Sequence, residues 1–233
     1  VTSTLVAVPG TLCSPEIFTR LAGELRDEIT VEAVDWMTEP GPWGIEDIAG
    51  RLAVRIERDH GAPVLVAGHS TGGSIALTLA AARSDLVAGL LLANTGAHMR
   101  GHGDVDRILD TIATAWGPKL HAAVLDRSFA EPVPARFRDS LLAYAATVQQ
   151  EAALDVLRSQ RDLDLTARLP HIACPVTVLH GVLDRARSVA DAEYLVAHLP
   201  NCALRTVYTG HSPVWEDVRA TAAAVRALNH ENR

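Results

Sequence analysis

The chain has 233 residues, 48% of them hydrophobic and 21% charged, enough for one large domain with a full core and too apolar for an intrinsically disordered chain. Its net charge is −7 with acidic and basic residues interleaved, which argues against nucleic acid or an anionic membrane as partner. No run approaches the roughly 18 apolar residues of a membrane span, and Cys13, Cys174 and Cys202 form an odd, scattered set that suits reduced thiols in the cytoplasm.

The start, Val1 to Val8, has no basic residue ahead of it and no small-residue cleavage site, so it reads as a strand rather than a signal peptide, with Leu5–Val8 buried. Ser14-Pro15-Glu16 then offers an N-cap, a proline at the first helical position and an early acid; Ile17, Leu21 and Leu25 lie on one helical face. Residues 29–34 read as a second strand, and 35–44, with two prolines and two glycines, as a loop. Ile45, Ile48, Leu52 and Ile56 predict an amphipathic helix closed by Gly61 and Pro63. A strand over 64–67, an apolar helix over 74–82 and a strand over 87–93 follow. Strands alternating with helices at this interval imply βαβ units and a parallel sheet covered on both faces.

Near Asn94 the rhythm breaks, and the next strand-like run, Val176 to Leu179, comes about 80 residues later, where a crossover needs only a dozen or so. The intervening stretch predicts helices over 105–115, 120–129, 137–148 and 151–157. We read residues 97–168 as a helical cap inserted into an α/β core formed by 1–96 and 169–233, lying over the carboxyl ends of the strands, where open α/β sheets bind ligands. The alternation then resumes with a helix over 189–198, a strand over 204–208 and a helix over 214–228.

Between the 64–67 strand and the following helix stands Gly68-His69-Ser70-Thr71-Gly72-Gly73. Gly-x-Ser-x-Gly in that context fits a nucleophile elbow: a tight strand-to-helix turn presents the serine hydroxyl, and glycines two before and two after it relieve crowding. The Thr71 amide, opening a helix, is expected to face a developing oxyanion. Two later strand ends supply partners. Asp184 lies just past the strand ending at Leu179, and His211 just past the strand ending near Tyr208. The order Ser70, Asp184, His211 and their shared place at strand ends predict a nucleophile–base–acid triad. A second oxyanion donor is expected from the loop after the first strand, at the Thr11 amide, with Leu12 as the fallback.

On Pro9-Gly10-Thr11, Gly68 to Gly73, Cys174-Pro175 to Asp184 and Gly210-His211-x-Pro213-x-x-Glu216, the chain resembles the α/β-hydrolase superfamily, within it the capped esterase, lactonase and carbon–carbon hydrolase branch. The resemblance runs from Leu5 to about Leu228 and implies an open, mostly parallel doubly wound sheet of about six strands, ordered 2-1-3-4-5-6, with an inserted helical cap. Two departures stand out: Pro9-Gly10 replaces the His-Gly common in the family, and the chain begins at the family's third strand, leaving an edge that a second copy in a homodimer would cover. Some relatives carry the acid after the strand next to the elbow; here that position, near Asn94, is uncharged, which favours Asp184. Its remaining rivals are Asp191 in the next helix and Asp164 at the cap's exit, where a solvated loop role is the plainer reading.

The activity so implied is cofactor-free hydrolysis of a small to medium carboxylic ester or lactone through an acyl-enzyme. Carbon–carbon hydrolysis and perhydrolase chemistry use the same machinery, a non-catalytic ligand receptor would keep only the pocket, and dehalogenation on this fold needs a carboxylate at position 70. Other residues have plainer readings. His69 is a packing residue beside the elbow, Cys13 a pocket-lining or packing thiol, Trp43 and Trp116 are core or pocket side chains, and His98, His102 and Asp104 lack a strong metal-ligand spacing.

Overall fold

A computed structural model describes residues 3–231. Val1 and Thr2, the start of the expected first strand, lie outside the described residues. Six strands, β1 (Ser3–Val8), β2 (Ile29–Ala33), β3 (Val64–His69), β4 (Val87–Ala93), β5 (Val176–Gly181) and β6 (Cys202–Val207), form one sheet in the order β2-β1-β3-β4-β5-β6. Every pairing is parallel. β3 is buried along its whole length, as a strand covered on both faces must be.

Helices pack on the two faces. α1 (Thr19–Leu25) follows a short 3₁₀ turn at Pro15–Phe18, capped as expected by Ser14, whose Oγ accepts from the Glu16 amide at 3.2 Å. α2 (Ile45–His60) buries Ile45, Ile48, Leu52 and Ile56 and closes at Gly61, φ 60°. Each such side chain removed from water contributes about 1.5–3 kcal/mol. α3 (Thr71–Ala82) begins directly after Ser70, three residues earlier than the apolar run suggested, and is buried on all sides through Ala80.

Between β4 and β5 lie four helices: α4 (Val105–Ala115), α5 (Pro118–Arg127), α6 (Ala135–Thr147) and α7 (Gln150–Asp162). α5 starts at Pro118, the proline read as a separator, because a missing amide proton costs nothing at the first helical position. α7 runs five residues beyond the expected Leu157. The segment's entry and exit are tied together by a bridge between His98 and Asp164 and by the Leu165 amide on the Ala97 carbonyl at 2.9 Å. After α8 (Val189–His198), the expected last helix is two: α9 (Pro213–Glu216) and α10 (Val218–Glu231). Asp217 interrupts it, its carboxylate capping the restart by accepting from the Ala220 amide at 3.0 Å. β6 stops at Val207, leaving Tyr208 82% exposed.

Candidate active site

Ser70 occupies φ 55°, ψ −121°, a backbone conformation that a side-chain-bearing residue adopts only when its surroundings compel it. Those surroundings are backbone. A Cβ at Gly68 would stand 2.5 Å from the Gly72 carbonyl oxygen and from Gly73 Cα, and one at Gly72 would strike the Val8 carbonyl. The second glycine therefore makes room for the end of β1 rather than for its counterpart at 68.

From Ser70 a hydrogen-bonded chain crosses three strand ends. His211 Nε2 lies 2.8 Å from Ser70 Oγ, and His211 Nδ1 lies 2.7 Å from Asp184 Oδ2. The Asp184 side chain has no exposed surface. Burial pushes its pKa upward, but hydrogen bonds from His211, Asn94 Nδ2 (2.5 Å) and the Ala186 amide (2.7 Å) outweigh it and hold the carboxyl well below the ordinary range. The arrangement can pass a proton from a hydroxyl to an imidazole whose cationic form faces a buried anion.

Asn94 had no role in the sequence reading beyond a missing charge. It is fully buried at the end of β4 with φ 46°, and its Oδ1 accepts from the Gly181 amide at 3.0 Å, which aims its NH₂ at Asp184. The rival acids are engaged elsewhere. Asp191 forms a capping box with Ser188 and pairs with Arg187; Asp164 pairs with Arg100 and accepts from Thr166.

Around Ser70, the Leu12 amide, expected as the fallback oxyanion donor, is directed to Met37 Sδ at 2.9 Å. The Thr11 and Thr71 hydroxyls meet at 2.9 Å, so the two residues expected to supply oxyanion amides are joined through their side chains. His69 is buried, with Nε2 2.8 Å from the His211 carbonyl; burial, aided by neighbouring His211, lowers its pKa to about 3, so it is a neutral donor that fixes the His211 backbone. Cys13 is pushed up to about 12 by burial, the environment of an inert thiol. Trp43 donates to the Glu39 carbonyl, Trp116 packs edge-on against His121, and Asp104 caps α4. Glu216 ties the His211 loop to the helical segment, accepting from the Ser212 amide at 3.3 Å and the Ala130 amide at 2.8 Å.

A family model described as "Alpha/beta hydrolase family" matches residues 5–224. The chain belongs to the alpha/beta hydrolase family. It is similar to Lipase LipV of Mycobacterium tuberculosis, 38% identical over 90 residues, which are 36% of this chain and 34% of that one; the match thus spans about a third of that relative's length. Its fold is that of an esterase from Exiguobacterium antarcticum (TM-score 0.86, 17% identity, covering 97% of this chain and 91% of the other). The enol-lactonase from Burkholderia xenovorans LB400 shares it as well (TM-score 0.84, 20% identity, covering 99% and 92%). Among the described residues, no helix of this alpha/beta hydrolase is long and apolar enough to cross a membrane.

Proposed function

We propose that the protein is a serine hydrolase of carboxylic esters or lactones. The observation that carries this reading is the unbroken Asp184–His211–Ser70 chain ending on a serine held at φ 55°. In the cycle that follows, His211 Nε2 takes the Ser70 proton as Oγ attacks the substrate carbonyl carbon. The Thr71 and Thr11 amides receive the oxyanion. The tetrahedral intermediate collapses when His211 protonates the leaving oxygen, giving an acyl-enzyme, and His211 then activates water to release the acid and restore Ser70. Asp184 holds the imidazole in the tautomer with its proton on Nδ1. The four helices between β4 and β5 serve as the cap, which sets substrate size and shape. Relatives that are lipases, esterases and lactonases support this substrate class. The three free cysteines fit a reducing cytoplasm, and β2, at the edge of the sheet, is where a second copy would add.

Labelling by a small fluorophosphonate, followed by turnover on a panel of esters and lactones, tests the reading. Labelling at Ser70 with turnover of at least one panel member is expected; a protein that turns over the panel but is not labelled at Ser70 would sink the nucleophile.

A further inference from the structure

Gln160, near the end of α7, is 5% exposed and lies beyond the point where the sequence pattern of that helix stops. A buried primary amide must find partners for both its ends or cost about 1–3 kcal/mol. Gln160 finds both on α3, the helix that starts at the nucleophile. Its Oε1 accepts from Thr71 Oγ1 at 3.2 Å, and its Nε2 donates to Ser74 Oγ at 3.0 Å. A hydroxyl has one proton to give. With Thr71 donating to Gln160, the 2.9 Å contact between the Thr71 and Thr11 hydroxyls can only be made by Thr11 donating to Thr71. The proton order is therefore Thr11 to Thr71 to Gln160, and Thr11 Oγ1 has no hydrogen left to offer an oxyanion.

We propose that Gln160 is a positioning residue through which the helical segment sets the two oxyanion amides, making the oxyanion hole complete only when α7 is docked on α3. This rests on the serine-hydrolase reading above. Thr71 opens α3 and Thr11 lies in the loop after β1, and the hydroxyl relay is a direct side-chain link between them, anchored at its far end by Gln160. Loss of the anchor frees the Thr71 hydroxyl to rotate and lets the Thr11 loop drift from the distance at which its amide meets the transition state. Since an oxyanion interaction strengthens only as charge develops, the loss falls on kcat rather than on KM.

The experiment compares wild type, Gln160→Met (similar length, no polar groups), Thr71→Val (no hydroxyl, amide retained) and the double variant. A small ester such as p-nitrophenyl acetate gives kcat and KM, and a fluorophosphonate gives the rate of Ser70 labelling. Expected are a roughly tenfold lower kcat in each single variant, KM within about twofold, a parallel fall in labelling rate, and a double variant no worse than the poorer single one, as two members of one relay require. Thermal melting confirms folding; if Gln160→Met is too unstable, Ser74→Ala, which releases the Nε2 end of Gln160, takes its place in the cycle with Thr71→Val. Full kcat in the folded single variants, a change confined to KM, or losses that multiply in the double variant would each overturn the proposal while leaving an active, labelled wild type. A wild type that is neither labelled nor active would instead fail the underlying reading, and the proposal with it.

Discussion

A methyl group added at Gly72 would collide with the Val8 carbonyl and stand 2.7 Å from that of Pro9, whereas one added at Gly101, Gly103 or Gly117 would meet nothing within 4 Å. The same residue type thus marks two kinds of construction. At the carboxyl edge of the sheet, glycines let backbone approach backbone, and Ser70 is held in a costly conformation by the backbone packed around its turn. In the helical segment, glycines turn the chain at positive φ in open space, and the segment joins the core through shared apolar clusters, with Ile112, Leu154 and Phe129 among their members, to which polar contacts add. Ser159 Oγ accepts from the Ile45 amide at 2.9 Å at the start of α2, where Gly44 has no side chain to cap with; Gln160 reaches Thr71 and Ser74; Arg168 pairs with Glu46; and Glu216 holds the Ala130 amide. A close-packed frame thus holds Ser70, and the helical segment is joined to it by apolar packing and by these polar contacts.

The comparison is broken most sharply at Asp184. Asp184→Asn is expected to keep the fold but favour the wrong imidazole tautomer, lowering kcat on the order of 10⁴-fold, while Asp191→Asn and Asp164→Asn cost less than about tenfold. Steady-state kinetics on the three variants checks this, and a collapse confined to Asp191→Asn or Asp164→Asn would move the acid.

Next in size, Gly72→Ala should cost about 3 kcal/mol, because the atoms it meets are backbone and cannot step aside. Chemical denaturation measures the loss; stability within 0.5 kcal/mol of wild type would mean the elbow yields more readily than its contacts imply.

His69 gives a pH-dependent version of the same rigidity. Its pKa of about 3 lies below its ordinary 6.5, so between those values the unfolded chain binds a proton that the folded chain refuses. Stability is complete above pH 6.5 and falls as the pH drops through that window, by up to about 1.4 kcal/mol per pH unit from this residue. His69→Gln, which can still donate to the His211 carbonyl, should flatten the decline in denaturation free energy between pH 6 and 4; an unchanged slope would show that His69 takes up its proton in the folded state.

The smallest effect belongs to the segment. Gly101→Ala, at φ 79° with open space around it, should cost about 1 kcal/mol through backbone strain alone, with turnover of a small ester unchanged. A large loss of turnover there would tie the entry loop to the chemistry.

Much of the frame was legible because its signals are local. A short β-branched run, a glycine-flanked serine and an apolar helix follow one another at 64–82, and strand β3, Ser70 and α3 stand there in that order. The strand order and the meeting of Ser70, His211 and Asp184 were also within reach, since residues at the carboxyl ends of parallel strands converge whatever their separation in the chain. Helix ends were less so. The pattern of α7 fades at Leu157 because the next turn, Ser159 and Gln160, is polar, and only partners more than 80 residues away satisfy the half-buried Ser159 and the buried Gln160.

The sequence by itself determined the class of sheet, the placement of a serine at a forced turn, and the order of the groups that would serve it, because periodicity and turn chemistry act over a few residues. Tertiary structure alone decided which amide Met37 engages, what Asn94 holds, why the last helix restarts at Asp217, and where Gln160 points. Each of these is a polar group whose worth depends on a partner brought in from elsewhere and on the water excluded around it, and neither is written in the residues on either side.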